Sequence, residues 1–472
     1  MNSEDRFSNR PLPTSTPSRR PLTAKRRWCG NPIRLPLALL TLSLVGVPVR
    51  PLAAAAPPRP HPGSQKGAAL LVDMAAHPRP VHRLPSDQEI PALSALAEGW
   101  SQLAQVTQFV NTTNRGVAAR VAIHEAGTGS RVLVLIHGMF SESTNWKYVA
   151  TALANDYELW LVDLPGCGQS DVPNPDRLGA GGYGPVALAD RVLQTLEGRL
   201  AARPDVRHFL LAGHSLGGMV ALRMFADDTL RQRYGGVLNA VDGLVLFAPC
   251  DVMLTQFTPT QQAVRHLNGC KVLLGNLTGI LPKVIERATV AGFTEPGLAS
   301  RELQEQGVRL FSRGKERHII QAMLRDALTW RVLGEELDWS AVEALEARYR
   351  HVRPPCLIVW GECDPTLPLG TGYKLKDQLP DARMVVLARS KHLLQLERPE
   401  TCATLVREFD EQRRAGRLAA ARSVQTPWPD AEDRPLELAA DTSSEDFSFD
   451  HPAEDANLLG AATGRKAATP RP

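Results

Sequence analysis

The sequence predicts an α/β fold, a doubly wound and mostly parallel sheet interrupted by a helical cap. Three observations predict it. Runs of β-branched and aliphatic residues, such as Arg131-Val132-Leu133-Val134-Leu135-Ile136, alternate with helical stretches, the mark of strands buried on both faces and joined by right-handed crossovers. The strand pattern stops between Asp251 and about Asp338, where helical periodicity takes over, and resumes at Cys356. Each apolar run in turn ends in a cluster of polar residues and glycine, as loops at the carboxyl edge of a parallel sheet do.

The first 34 residues are basic and rich in Pro, Ser and Thr, and an apolar segment follows from Leu35 to Val47, ending near Pro48 and Ala53 to Ala56. Residues 1–56 read as a signal peptide, with cleavage near Ala53 to Ala56 and export to the periplasm or the exterior. The apolar segment is shorter than the roughly 20 residues that cross a bilayer as a helix, so no stable membrane anchor is expected after cleavage. Ser18-Arg19-Arg20 stands too far from it for a well-formed twin-arginine signal. Residues 57–92, rich in Pro, His and Ala, read as a disordered linker.

Helical periodicity runs from Ile90 to Val106, and Val117 to His124 alternates as a strand before the turn Gly127-Thr128-Gly129. After the strand ending at Ile136 and the loop His137-Gly138-Met139-Phe140, a helix is expected with Trp146, Val149, Ala150 and Leu153 on one face. Then come a strand from Glu158 to Val162, the turn Asp163 to Ser170, a helix from Val186 to Leu200 and a strand from Phe209. Gly243 to Phe247 is the next strand. Residues 251–338 form the cap, with helices over Val272 to Arg287, Ser300 to Phe311 and Arg317 to Leu333. Late strands follow at Cys356 to Trp360 and Arg383 to Leu387, and a last helix spans Pro399 to Arg413. The core is thus 93–250 with 339–413, and 414–472 reads as a disordered acidic tail.

Composition excludes some functions. The 472 residues carry 54 Lys and Arg against 50 Asp and Glu, a net charge of only +4, so no nucleic-acid footprint is present. Seven cysteines show no C-x-x-C pair and no His/Cys cluster at ligand spacing, and neither a metal nor a cofactor is expected. Cys250 and Cys270 could close a disulfide loop after export, or remain as thiols.

Gly213-His214-Ser215-Leu216-Gly217 joins the apolar run Phe209 to Ala212 to a helix-like pattern at Met219, Val220, Leu222 and Met224. A serine at the apex of such a strand-to-helix turn has a strained backbone, and Gly213 and Gly217 remove collisions across the bend. The hydroxyl is then exposed above the sheet, with the Leu216 N–H at a helix N-terminus.

The order His137-Gly138, Asp163 to Ser170, Gly213 to Gly218, Gly361 to Asp364 and His392 resembles the α/β-hydrolase superfamily, over roughly residues 105 to 413. Trp146 after His-Gly and Glu397-Arg398-Pro399-Glu400 after His392 add to the likeness. The resemblance implies a catalytic triad of Ser215, Asp364 and His392, with the N–H groups of Met139 and Leu216 as oxyanion hole. In some members the acid follows the strand before the cap, which here is Asp251; the pattern Gly361-x-x-Asp364 favours Asp364. His137 and His214 read as structural hydrogen-bonding residues. A serine at the apex argues against haloalkane dehalogenases and epoxide hydrolases, which use a carboxylate nucleophile.

Function follows as an expectation. Hydrolysis of a carboxylic ester through an acyl-enzyme comes first, on a small-molecule ester or lipid selected by the cap. The same triad also suits an amide, a C–C bond or acyl transfer to an alcohol. A non-catalytic ligand-binding protein on the same scaffold is the third reading.

Overall fold

The computed structural model describes residues 81–83, 89–250, 274–312, 318, 319, 322, 323, 325, 326 and 339–416. Its strands are β1 (Val81–Arg83), β2 (Gln105–Asn114), β3 (Val117–Ala126), β4 (Arg131–Ile136), β5 (Tyr157–Val162), β6 (Phe209–His214), β7 (Val241–Phe247), β8 (Cys356–Gly361) and β9 (Ala382–Leu387). They form one nine-stranded sheet in the order β1-β9-β8-β7-β6-β4-β5-β3-β2. Every neighbouring pair from β1 to β5 is parallel, and only β3 and β2 run antiparallel to their neighbours.

The aliphatic runs are central strands because both of their faces are covered. In β4, Val132, Val134 and Ile136 join a core with Val192, Leu196 and Met219, and Leu133 and Leu135, at 0% exposure, point to the opposite face. Every residue of β6 and β8 is buried. The helices that cover the sheet are α1 (Glu89–Gln102), α2 (Lys147–Leu153), α3 (Pro185–Ala202), α4 (Leu216–Ala226) and, after the cap, α7 (Leu369–Gln378) and α8 (Pro399–Arg414). Helix α2 packs on α1 and α8, and α3 packs on α4 and β2. Trp146, Val149, Ala150 and Leu153 are all fully buried, as their spacing predicts.

Within the cap, α5 (Ile280–Ala291) and α6 (Arg301–Ser312) pack through Leu281, Ile285 and Val308. The helix expected over Val272 to Arg287 is broken at Gly279, whose φ of 69° no continuous α-helix accommodates. Of the helix expected over Arg317 to Leu333, the six described residues are helical. Asp251 and Cys270 lie outside the described residues, as do the leader and the acidic tail beyond 416.

Two boundaries differ from expectation. The first helix ends at Gln102, and Gln105–Asn114 is a strand paired along its whole length with β3. Arg115 and Gly116, with φ of 50° and 73°, make the tight turn between them. As an edge strand, β2 faces solvent along much of its length, so its apolar alternation is diluted. The stretch 57–92 is not linker throughout: Val81–Arg83 pairs in parallel with Val385–Leu387, and α1 already begins at Glu89.

Candidate active site

Ser215 stands between β6 and α4 with φ 51° and ψ −114°, a sparsely populated conformation for a residue with a side chain. Three bonds hold it there. Its N–H donates to the Phe247 carbonyl at 2.9 Å, and its carbonyl accepts from Met219 at 3.1 Å and Cys250 at 2.9 Å. A Cβ on Gly213 would come within 2.5 Å of the Gly217 backbone, a collision across the bend as predicted. Gly217 answers to a different neighbour, since its Cβ would lie 2.3 Å from the Ile136 carbonyl at the end of β4. Leu216 is the first residue of α4, so its N–H has no acceptor within the helix. The Met139 loop runs beside it: a Cβ on Gly138 would approach the Ser215 Cβ to 3.2 Å.

Asp364 follows β8 and His392 follows β9, adjacent parallel strands whose ends bring the two together. His392 Nδ1 donates to Asp364 Oδ2 at 2.7 Å, with the carboxylate side chain fully buried. The other oxygen, Oδ1, accepts from the Thr366 and Leu367 N–H groups at 2.8 and 3.0 Å. An imidazole that carries its only proton on Nδ1 keeps a lone pair on Nε2. The ring lies beside the elbow, its centroid 4.8 Å from that of His214.

His214 and His137 are buried and held in place by backbone groups. His214 Nε2 donates to the His392 carbonyl at 3.0 Å. Burial, and then the nearby His392, pushes the His214 pKa well below its ordinary value, so the ring is neutral. His137 Nε2 accepts from Leu164 N–H at 2.9 Å, which places its proton on Nδ1 for donation to the Gly138 carbonyl at 2.7 Å. Asp163 ties the same loop together, accepting from Ser143 N–H at 2.7 Å, from Gln169 N–H at 2.8 Å and from His124 Nε2 at 2.9 Å. Among the described residues, no group of three or more His, Cys, Asp or Glu side chains is placed to hold a metal ion. No helix among them is long and apolar enough to cross a membrane.

The Alpha/beta hydrolase family model matches residues 133–405, more than half of the chain. The chain belongs to the alpha/beta hydrolase family. This α/β hydrolase is 24% identical over 323 residues to a 2-hydroxy-6-oxononadienedioate/2-hydroxy-6-oxononatrienedioate hydrolase of Cupriavidus pinatubonensis, a match covering 65% of this chain and 96% of that one. It is 26% identical over 278 residues to the dihydrolipoyllysine-residue acetyltransferase component of an acetoin cleaving system of Pseudomonas putida, covering 58% and 62%. Among solved structures it is similar to the 2-hydroxy-6-oxo-6-phenylhexa-2,4-dienoate hydrolase of a Rhodococcus strain, with a TM-score of 0.49, 19% identity and coverage of 65% and 98%. A thermophilic esterase of Thermogutta terrifontis aligns with a TM-score of 0.47, 21% identity and coverage of 66% and 99%.

Sequence reasoning about this α/β hydrolase named Glu397 only as part of the likeness after His392 and did not read the bonds by which it and Gln395 support the His392 loop. Glu397 is 1% exposed and accepts two backbone N–H groups, those of Thr294 and Lys391, at 2.8 and 2.9 Å. Gln395, two residues earlier, donates to the buried Asn145 side chain in the turn after the Met139 loop. Neither pairing leaves a local signal, because the partners lie 103 and 250 residues away.

Proposed function

We propose that this α/β hydrolase cleaves a carboxylic ester through an acyl-enzyme intermediate, with Ser215 as nucleophile, His392 as general base and Asp364 as its orienting partner. The observation that carries the reading is the 2.7 Å bond from His392 Nδ1 to the buried Asp364 carboxylate, on a ring packed beside the Ser215 elbow. A serine hydroxyl is a weak nucleophile at neutral pH, so His392 Nε2 takes its proton as the oxygen attacks the ester carbonyl. Asp364 stabilises the imidazolium that forms. The tetrahedral oxyanion is received by the N–H groups of Leu216 and Met139, a type of contact typically worth about 3–4 kcal/mol per donor. His392 then protonates the leaving alcohol, and water repeats the sequence to release the acid.

The substrate is a small-molecule ester or lipid whose fit is set by α5, α6 and the rest of the cap, and the enzyme acts after export, with its leader removed near Ala53 to Ala56. A fluorophosphonate probe tests the nucleophile directly. One covalent adduct on Ser215, together with p-nitrophenyl ester hydrolysis lost in Ser215→Ala, is the expected result. An adduct elsewhere, or a wild type inert to esters of every chain length, overturns the reading.

A second reading has one observation behind it. The Cupriavidus relative is named for a 2-hydroxy-6-oxo dienedioate rather than an ester, and the same three side chains could serve C–C bond hydrolysis. Turnover of such a keto acid at a kcat/KM above that of every ester would select it.

A further inference from the structure

The turn that closes α5 is bonded to the loop that carries His392. Lys391 Nζ donates to the carbonyls of Ala291 and Phe293, each at 2.9 Å, at a helix C-terminus where carbonyls lack partners and a cation is favoured. The Thr294 hydroxyl donates to the Arg389 carbonyl at 2.9 Å. Beneath these bonds, Phe293 and Leu396 are buried in one apolar cluster with Leu393. Glu397 closes the junction: Oε1 takes the N–H of Thr294 in the cap, and Oε2 takes the N–H of Lys391, the residue before His392. One buried carboxylate thus grips both sides.

We propose that Glu397 is a positioning residue that couples seating of the cap to placement of His392. The proposal rests on the reading of His392 as general base. Three bonds fix that histidine and its flanks: Asp364 at Nδ1, His214 at the carbonyl, and Glu397 at the preceding amide. The first two come from the core alone. Of these three only the third is shared with the cap, where it acts beside the Lys391 ammonium and Thr294 hydroxyl bonds; a cap that lifts from Thr294 removes half of the carboxylate's bonding and frees it to turn. A shift of 1 Å in a catalytic group costs on the order of 10²-fold in rate, which makes a small rotation of this loop decisive.

Hydrogen exchange and kinetics on the full chain test the coupling together. In the wild type, the amides of Thr294 and Lys391 are expected to show protection factors within about tenfold of each other, because one opening event exposes both. In Glu397→Gln the side-chain amide turns a donor toward one of two backbone donors; both protections fall together while β6 and β7 keep theirs. The kcat for p-nitrophenyl butyrate falls roughly tenfold or more, with KM changed less than about threefold. Unequal protection of the two amides in the wild type, or wild-type kcat in Glu397→Gln, overturns the proposal. If the wild type hydrolyses no ester, the assigned function fails, while the exchange data still decide the coupling. If Glu397→Gln does not fold, the wild-type comparison decides it alone.

Discussion

The carbonyl oxygen of Ile136 occupies the space where a side chain on Gly217 would begin, 2.3 Å from an added Cβ, and the His137 carbonyl lies 2.5 Å from it. The end of β4 and the first turn of α4 therefore touch backbone to backbone. Gly217→Ala must push the Met139 loop away from Ser215, and overpacking of this kind costs about 1–3 kcal/mol. A lowered denaturation midpoint with a larger loss of fluorophosphonate labelling is expected. A variant with wild-type labelling would show that the contact is dispensable.

Asp364→Asn keeps the shape of the acid but not its charge. Its amide nitrogen can no longer accept the His392 Nδ1 proton, and the ring loses its preferred tautomer. Loss of kcat by about 10³–10⁴-fold is expected with the fold retained, read from p-nitrophenyl butyrate hydrolysis and circular dichroism. A loss below tenfold would move the role of acid away from Asp364.

Acid should destabilise the protein through its buried histidines. Burial lowers the pKa of His137 and, with help from His392, takes that of His214 well below the ordinary 6.5. Between the folded and unfolded values the unfolded chain binds more protons, so this stability is full above about pH 6.5 and falls as the pH drops below it, by at most about 1.4 kcal/mol per pH unit per histidine. Glu142 has the opposite sign: burial and Asp163 raise its pKa from 4.5, which favours the folded state at the acid end and is lost as the pH rises past its folded value. Denaturation midpoints measured from pH 8 to 5 should fall on the acid side, with a shallower slope in His214→Gln. An unchanged slope in that variant would remove His214 from the account.

Lys147 and Glu302 form a cap-to-core ion pair at 3.0 Å, but Glu302 is 71% exposed. Water screens such a pair, and its contribution is about 0–1 kcal/mol. Glu302→Gln should therefore leave both the denaturation midpoint and the exchange protection of Thr294 nearly unchanged. A drop comparable to that of Glu397→Gln would show that the surface pair holds the cap.

The central strands were legible because a strand buried on both faces must be apolar at consecutive positions, as Leu133 to Ile136 are. The placement of Ser215, Asp364 and His392 was legible because each follows a strand at the same edge of one sheet, while their roles came only with the family resemblance. The edge was harder to read. β2 carries Gln105, Gln108, Asn111 and Thr113 among its apolar residues because only one neighbour pairs with it, and β1 has just three residues in a stretch rich in Pro and His. Contacts such as Glu397 with Thr294 left no trace, since nothing in the local composition says which distant amide a glutamate will meet.

The left-handed φ of Ser215 carries a consequence for measurement. That conformation costs of order 1–3 kcal/mol on its own and persists only while Phe247 and Cys250, at and just past the end of β7, and Met219, in the first turn of α4, hold it. An unfolded chain would relax it at once and leave an ordinary, unreactive alcohol. On the proposed reading of Ser215 as nucleophile, covalent capture at this one atom would count assembled molecules in a mixture, making the serine a gauge of folding yield.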